Sequence, residues 1–164
     1  MSLTLEQKQE IVSEVAGVVA QAKSAVVAEY RGMTVSELTE LRSNARKMDV
    51  YLRVVKNTLA RRAMQGTEFA CMDDALVGPL LLALSRVEPG DAPKLMGNFA
   101  KGHERLVIKA GAYNGKLLKP ADIAALAKLP TRNEAIAILM SLMKAPVGKL
   151  VRTLAAVRDA RQAA

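Results

Sequence analysis

A chain of 164 residues is long enough for one well-buried domain and too short for two full ones. Hydrophobic residues make up 51% of it but aromatics only 3%, a mix that suits close-packed helices and argues against an aromatic-rich barrel. The net charge of +8 points to a polyanionic partner, while a single cysteine and a single histidine exclude a disulfide framework and a His/Cys metal cluster.

Thr4-x-x-Gln7 has the spacing of a capping box, and Ile11, Val15, Val18, Val19 and Ala22 then recur at helical period, predicting a helix over about 5–22. This start places Glu6, Lys8 and Glu10 where a signal peptide would need apolar residues. Ala25–Ala28 is a short apolar run between Ser24 and Arg31-Gly32 and reads as a buried strand. A second capping box, Thr34-x-x-Glu37, opens a helix with Leu38, Leu41, Ala45 and Met48 turned inward. Tyr51–Val55 is the next strand. Asn57 is expected to cap the short helix after it, and Gly66 to close that helix in a left-handed conformation. Cys71 falls in an amphipathic segment and reads as core.

Leu80–Leu84 gives a third strand, and Asp91 starts a helix through Leu95 and Phe99 to Gly102. Leu106–Tyr113 is a strand that turns at Asn114-Gly115, a strong two-residue hairpin signal. Pro120 begins a short helix that ends at Leu129-Pro130. The alternation of helix and strand predicts an α/β fold, a mixed sheet covered by helices, over residues 1–130. A third capping box, Thr131-x-x-Glu134, then opens an amphipathic stripe: Ile136, Leu139, Met140, Met143, Val147, Leu150, Val151, Leu154 and Val157. Pro146 and Gly148 interrupt it, predicting a kink or a break into two helical pieces. Residues 131–164 are expected to form a separate helical segment.

Charge is unevenly placed. Residues 1–130 carry 18 basic and 14 acidic groups, and residues 131–164 carry 6 and 2, so a quarter of the chain holds half of the excess. Between Arg42 and Arg62, seven basic residues face one acid, Asp49. Within that span Lys56, Asn57 and Thr58 sit where a strand gives way to a helix, so free amides and the positive helix end stand beside Arg53, with Arg61 and Arg62 one turn on. This arrangement suits phosphate oxygens; the plainer reading is an ordinary capped helix with a solvated basic face. Arg31, Gly32 and Thr34 form the preceding strand-to-helix turn. If the two strands are neighbours, both turns open on one sheet edge, where α/β folds tend to bind ligands. The chain has no Trp and no aromatic pair at alternating strand positions, so base stacking is disfavoured and a folded RNA read through its backbone is the better fit.

Other motifs lead nowhere catalytic. Gly111–Lys116 has three residues between its glycines and Leu117 where a phosphate loop needs Ser or Thr, so the hairpin explains it. His103 reads as a cap at a helix end, and Asp73-Asp74 as a solvated or capping pair. No catalytic site, metal site or cofactor is expected. The longest apolar run, Ala75–Leu84, is half a membrane span and contains Gly78 and Pro79. The C-terminal stripe has three competing uses: docking on a partner, packing as one more core helix, or lying on a membrane. It lacks the Trp or Phe of membrane-surface helices, and its alanines and methionines favour a protein partner.

Tyr30-Arg31-Gly32-Met33-Thr34, the segment Leu52–Leu59 and the ending Gly148–Asp159 resemble, in the same order along the whole chain, the bacterial large-subunit ribosomal proteins that anchor the lateral stalk. The resemblance implies a cytoplasmic ribosomal component and no membrane. It also implies an N-terminal domain that binds the GTPase-associated region of large-subunit rRNA beside a neighbouring stalk-base protein. The C-terminal helix would carry dimers of acidic stalk proteins that recruit translational GTPases, which gives the basic tail a physical reason. The kink divides the stripe and leads to an expectation of at least two dimers. Members also repress their own operon by binding its mRNA leader. A stand-alone basic RNA-binding regulator, without a stalk partner, is the alternative reading.

Overall fold

Leucine-rich and β-branched runs form the strands, and capped amphipathic segments form the helices, in a computed structural model that describes residues 4–103 and 105–163. The outermost residues of both expected domains therefore lie outside the described residues. The chain divides into two units, Met1–Leu129 and Pro130–Ala164.

In the first unit the elements run α1 (Leu5–Gln21), β1 (Ser24–Glu29), α2 (Val35–Lys47), β2 (Val50–Val54) and α3 (Asn57–Met64). A 3-10 helix (Glu68–Ala75) follows, then β3 (Leu80–Ser85), α4 (Asp91–Gly102), β4 (Val107–Tyr113), β5 (Lys116–Leu118) and α5 (Pro120–Leu126). Thr4 and Thr34 both close the expected capping boxes. Gly66 takes the left-handed conformation, φ +80°, and Asn114-Gly115 turns the β4–β5 hairpin with both φ angles positive.

The strand order is β2-β3-β1-β4-β5. The helix-covered sheet is as expected, but its strand directions are not mixed: all four pairings are antiparallel. The reason lies in the connections. β1 and β2 run the same way, yet β3 enters between them in the opposite direction, so no two parallel strands become neighbours.

Ala25, Val26, Val27 and Ala28 are all buried, because helices cover both faces of the central strand. On one face α1, α3 and the 3-10 helix bring Val15, Val19, Leu59, Met64 and Met72 against Ala25, Val27, Leu82 and Leu84; Cys71 packs at the margin of this cluster. On the other face α2, α4 and α5 bring Leu41, Ala45, Leu95, Met96 and Ile123 against Val26, Ala28, Leu81 and Ala83. Gly111, opposite Val26 in β4, is a place where α5 of this second layer comes close to the sheet. A Cβ there would stand 3.0 Å from the Ala25 carbonyl oxygen and 3.1 Å from Ile123 Cδ1. Backbone cannot give way cheaply, so Gly111→Ala is expected to cost about 1–3 kcal/mol of stability in thermal unfolding. Gly97→Ala in α4, which meets only the Ala127 methyl at 4.0 Å, serves as the unstrained control.

The second unit is one helix, α6 (Arg132–Ala163). Thr131 and Glu134 close its capping box: the Thr131 amide donates to Glu134 Oε2 at 2.8 Å, and the Glu134 amide donates to Thr131 Oγ1 at 3.3 Å. Of the two expected outcomes, a kinked helix or a break into two pieces, the break is absent: one long helix continues through Pro146 and Gly148. Proline removes one donor from a ladder of 32 residues, and the flanking alanine, leucine, methionine and lysine are strong helix formers. All nine stripe residues are exposed, from 47% at Ile136 to 74% at Met143. Ile138 and Leu142 are exposed as well and widen the apolar surface beyond the stripe.

Candidate nucleic-acid interface

Because β1 and β2 point the same way, the turns at their C-terminal ends open on the same edge of the sheet. They are not neighbours: the start of β3 lies between them, with Glu29 opposite Leu80 and Val54 opposite Leu81. The result is a cleft of about 440 Å³ lined by Tyr30, by Val54–Thr58 and by Gly78–Leu80.

On the first side of this edge, Arg31 and Gly32 are exposed and Gly32 sits at φ +86°. The Met33 amide donates to the Tyr30 carbonyl at 3.2 Å, and Thr34 caps α2. The Thr34 amide donates to Glu37 at 2.7 Å and holds that carboxyl below its ordinary range. On the second side Lys56, not Asn57, occupies the cap position of α3, and no side chain caps it. The Lys56 carbonyl accepts from the Leu59 and Ala60 amides, which leaves the Asn57 and Thr58 amides ahead of the first intrahelical bond. Asn57 does a different job. Its Nδ2 donates to the Gly78 carbonyl at 3.0 Å and ties the start of α3 to the turn entering β3. Lys56 and Thr58 are exposed.

The remaining arginines do not join this cleft. Arg53 pairs with Glu14 of α1 and donates to the Tyr51 hydroxyl at 3.3 Å. The Arg53 hydrogen bond holds the Glu14 carboxyl below its usual range, and the Tyr51 hydroxyl with Glu14 pushes Arg53 further up. Arg61 is half-buried, and its Nε and Nη2 each donate at 3.2 Å, to the carbonyls of Asp73 and Leu76 at the end of the 3-10 helix. Arg62 is exposed but lines a separate groove with Leu5, Lys8 and Val12. The basic segment that is continuous in sequence is therefore split by the sheet. Arg42, Arg46 and Lys47 ride on α2 in one layer, and Arg61 and Arg62 on α3 in the other.

His103 caps α4, its amide donating to the Phe99 carbonyl at 3.1 Å while its ring stacks on Phe99 at 4.1 Å. Of the Asp73-Asp74 pair, expected to be solvated or capping, Asp74 is exposed while Asp73 keeps its Oδ1 buried without a hydrogen-bond partner. Among the described residues no three His, Cys, Asp or Glu side chains gather as metal ligands, and no helix is long and apolar enough to cross a membrane.

The family described as ribosomal protein L10 matches residues 3–101, and the ribosomal protein uL10 C-terminal region matches residues 129–164. The chain belongs to the ribosomal protein L10 family. Among its relatives, the large ribosomal subunit protein uL10 of Thioalkalivibrio sulfidiphilus is 56% identical over 99% of both chains. That of Halorhodospira halophila is 54% identical over the full length of both. The Aeromonas salmonicida protein is 56% identical over 100% of this chain and 99% of its own. As an L10-family protein it is a structural constituent of the large ribosomal subunit, in the bacterial cytoplasm, and not an enzyme.

Within this L10 domain the internal role of Arg61 has a measurable consequence. Arg61→Ala leaves two half-buried carbonyls without their charged donor and is expected to lower unfolding stability by about 1.5–3 kcal/mol. Chemical denaturation reads that loss directly. Arg62→Ala, at an exposed position one residue on, is expected to stay within about 0.5 kcal/mol.

Proposed function

We propose that the first unit binds large-subunit rRNA at the stalk base, in the GTPase-associated region, through the sheet edge on which its two strand-to-helix turns open. The observation that carries this reading is the cleft on this edge, lined by exposed Lys56 with Asn57 and Thr58 and, from the other turn, by Tyr30, next to exposed Arg31. Exposed cations and unpaired amides recognise phosphate, and the scarcity of aromatics points to backbone and shape readout of a folded RNA. Arg53, Asn57 and Arg61 support the site from within: Asn57 ties the start of α3 to the turn entering β3, Arg53 holds α1 to β2, and Arg61 ties the end of the 3-10 helix to α3. A neighbouring stalk-base protein shares the RNA, and the same surface serves for the mRNA leader of the protein's own operon.

The second unit docks acidic stalk protein dimers on the exposed apolar stripe of α6. Four stripe residues precede Pro146 and five follow it, enough for at least two dimers along a helix of about 48 Å. The excess of basic over acidic residues in this unit favours an acidic partner.

Truncation after Pro130 tests both halves at once. The shortened chain is expected to unfold cooperatively and to keep the rRNA-fragment affinity of the full chain within about twofold, while losing all binding of stalk dimers. Loss of RNA binding in a folded truncated chain counts against the division of labour. Intact RNA binding by a full chain that captures no acidic dimer favours the stand-alone regulator.

A further inference from the structure

Arg105, in the connection between α4 and β4, belongs to none of the motifs described above. Its Nη1 donates to the Gly32 carbonyl at 2.7 Å, across 73 residues of sequence. Its aliphatic stem lies on the same turn, with Cδ 3.7 Å from the place a Gly32 Cβ would take. Gly32 needs such a hold. It adopts φ +86°, glycine has the widest backbone freedom of any residue, and the local bond across the turn is a single amide contact of 3.2 Å from Met33 to Tyr30. The turn also carries exposed Arg31, whose guanidinium can meet phosphate only if the backbone beneath it keeps one shape.

We propose that Arg105 is a positioning residue for the RNA-facing turn: it clamps the Gly32 carbonyl and so fixes Arg31 and the start of α2 in the conformation that meets RNA. Its position suits this role. The Gly32 carbonyl that it binds lies two residues before Thr34, which caps α2 with Glu37. A bond from a charged donor is the strong kind, and it joins the loop leaving β1 to the loop entering β4, just beyond the last pair of their ladder, Glu29 with Val107. The inference rests on the RNA reading given above.

The test uses the full-length chain with Arg105→Ala and Arg105→Lys, and two readouts. Without RNA, hydrogen exchange at the Met33 amide is expected to speed up about tenfold in Arg105→Ala, with the thermal unfolding curve unchanged. With a stalk-base rRNA fragment, affinity is expected to fall about five- to tenfold while the slope of log affinity against log salt stays at its wild-type value. Arg105→Lys, which keeps a charged donor for the Gly32 carbonyl, is expected to restore most of both. Unchanged Met33 exchange overturns the proposal. So does a slope that drops by about one, the sign of a lost phosphate contact rather than a lost clamp. Faster exchange with full affinity overturns it as well, because the turn would then lie outside the RNA surface. Failure of the wild-type chain to bind the fragment separates out the other case, in which the RNA reading itself is wrong.

Discussion

Replacing Leu150 and Leu154 together with aspartate is expected to remove the distal stalk dimer and leave the proximal one in place. Each leucine is about 60% exposed on α6, so burying both in a partner groove removes most of their surface from water. At about 1.5–3 kcal/mol per fully buried side chain, the double change weakens that site between about a hundredfold and ten-thousandfold. The helix itself tolerates the change, because aspartate at two exposed positions costs only about 0.7 kcal/mol each in propensity. Native mass spectrometry of the mixed complex counts the dimers. Loss of every dimer means that the unbroken helix is one continuous site, and loss of none means that the stripe is not the docking surface. Under the docking proposal the tail cations speed encounter rather than hold the partner. Arg158 already pairs with Asp159 at 2.7 Å, and Arg152 Nε donates to the Gly148 carbonyl at 3.2 Å.

Replacing Arg31 and Lys56 with alanine is expected to weaken binding to a stalk-base rRNA fragment about ten- to a hundredfold at moderate salt. Both side chains are exposed; Lys56 lines the cleft, and Arg31 follows Tyr30, which lines it from the other turn. Each lost phosphate contact lowers the slope of log affinity against log salt by about one, so the double variant should lose about two. Circular dichroism and the unfolding midpoint should stay at wild-type values, which distinguishes this pair from Arg61, whose removal acts through the fold. Unchanged affinity and slope would make the cleft edge a solvated basic face.

What could be read from the residues alone follows the range of the interactions. The capping boxes at Thr4, Thr34 and Thr131 close within three residues, and the Asn114-Gly115 turn needs only its own backbone, so all four were legible. Helices and strands of the first unit were legible to within a residue or two for most boundaries, since hydrophobic period sets them. The strand order was not, because β3 reaches its place between β1 and β2 through contacts far along the chain. The same distance explains the site. Asn57 looks like a cap until the Gly78 carbonyl, 21 residues on, claims its amide. Arg61 looks like a phosphate ligand until the carbonyls of Asp73 and Leu76 take its guanidinium. Arg105 carried no local signal at all. Of the kink or break expected at Pro146, the break alternative overweighted one missing donor against the many bonds that remain in the ladder.

The placement of β1 in the middle of the sheet also sets an order of events during synthesis. Ser24 pairs with Ser85 on one side and with Tyr113 on the other, so the second strand of the chain's centre arrives 61 residues after the first and the third later still. Neither β1 nor β2 can use the other, since β3 must stand between them. Pairings this distant fold slowly, because the chain must close long loops before any contact rewards it. Through that interval Val26 and Val27, which end fully covered, face water and other nascent chains. The apolar stripe of α6 leaves the ribosome only after the last strand, β5, has been made. By then the sheet can be closed on both faces, and the stripe has no unfinished core to fall into.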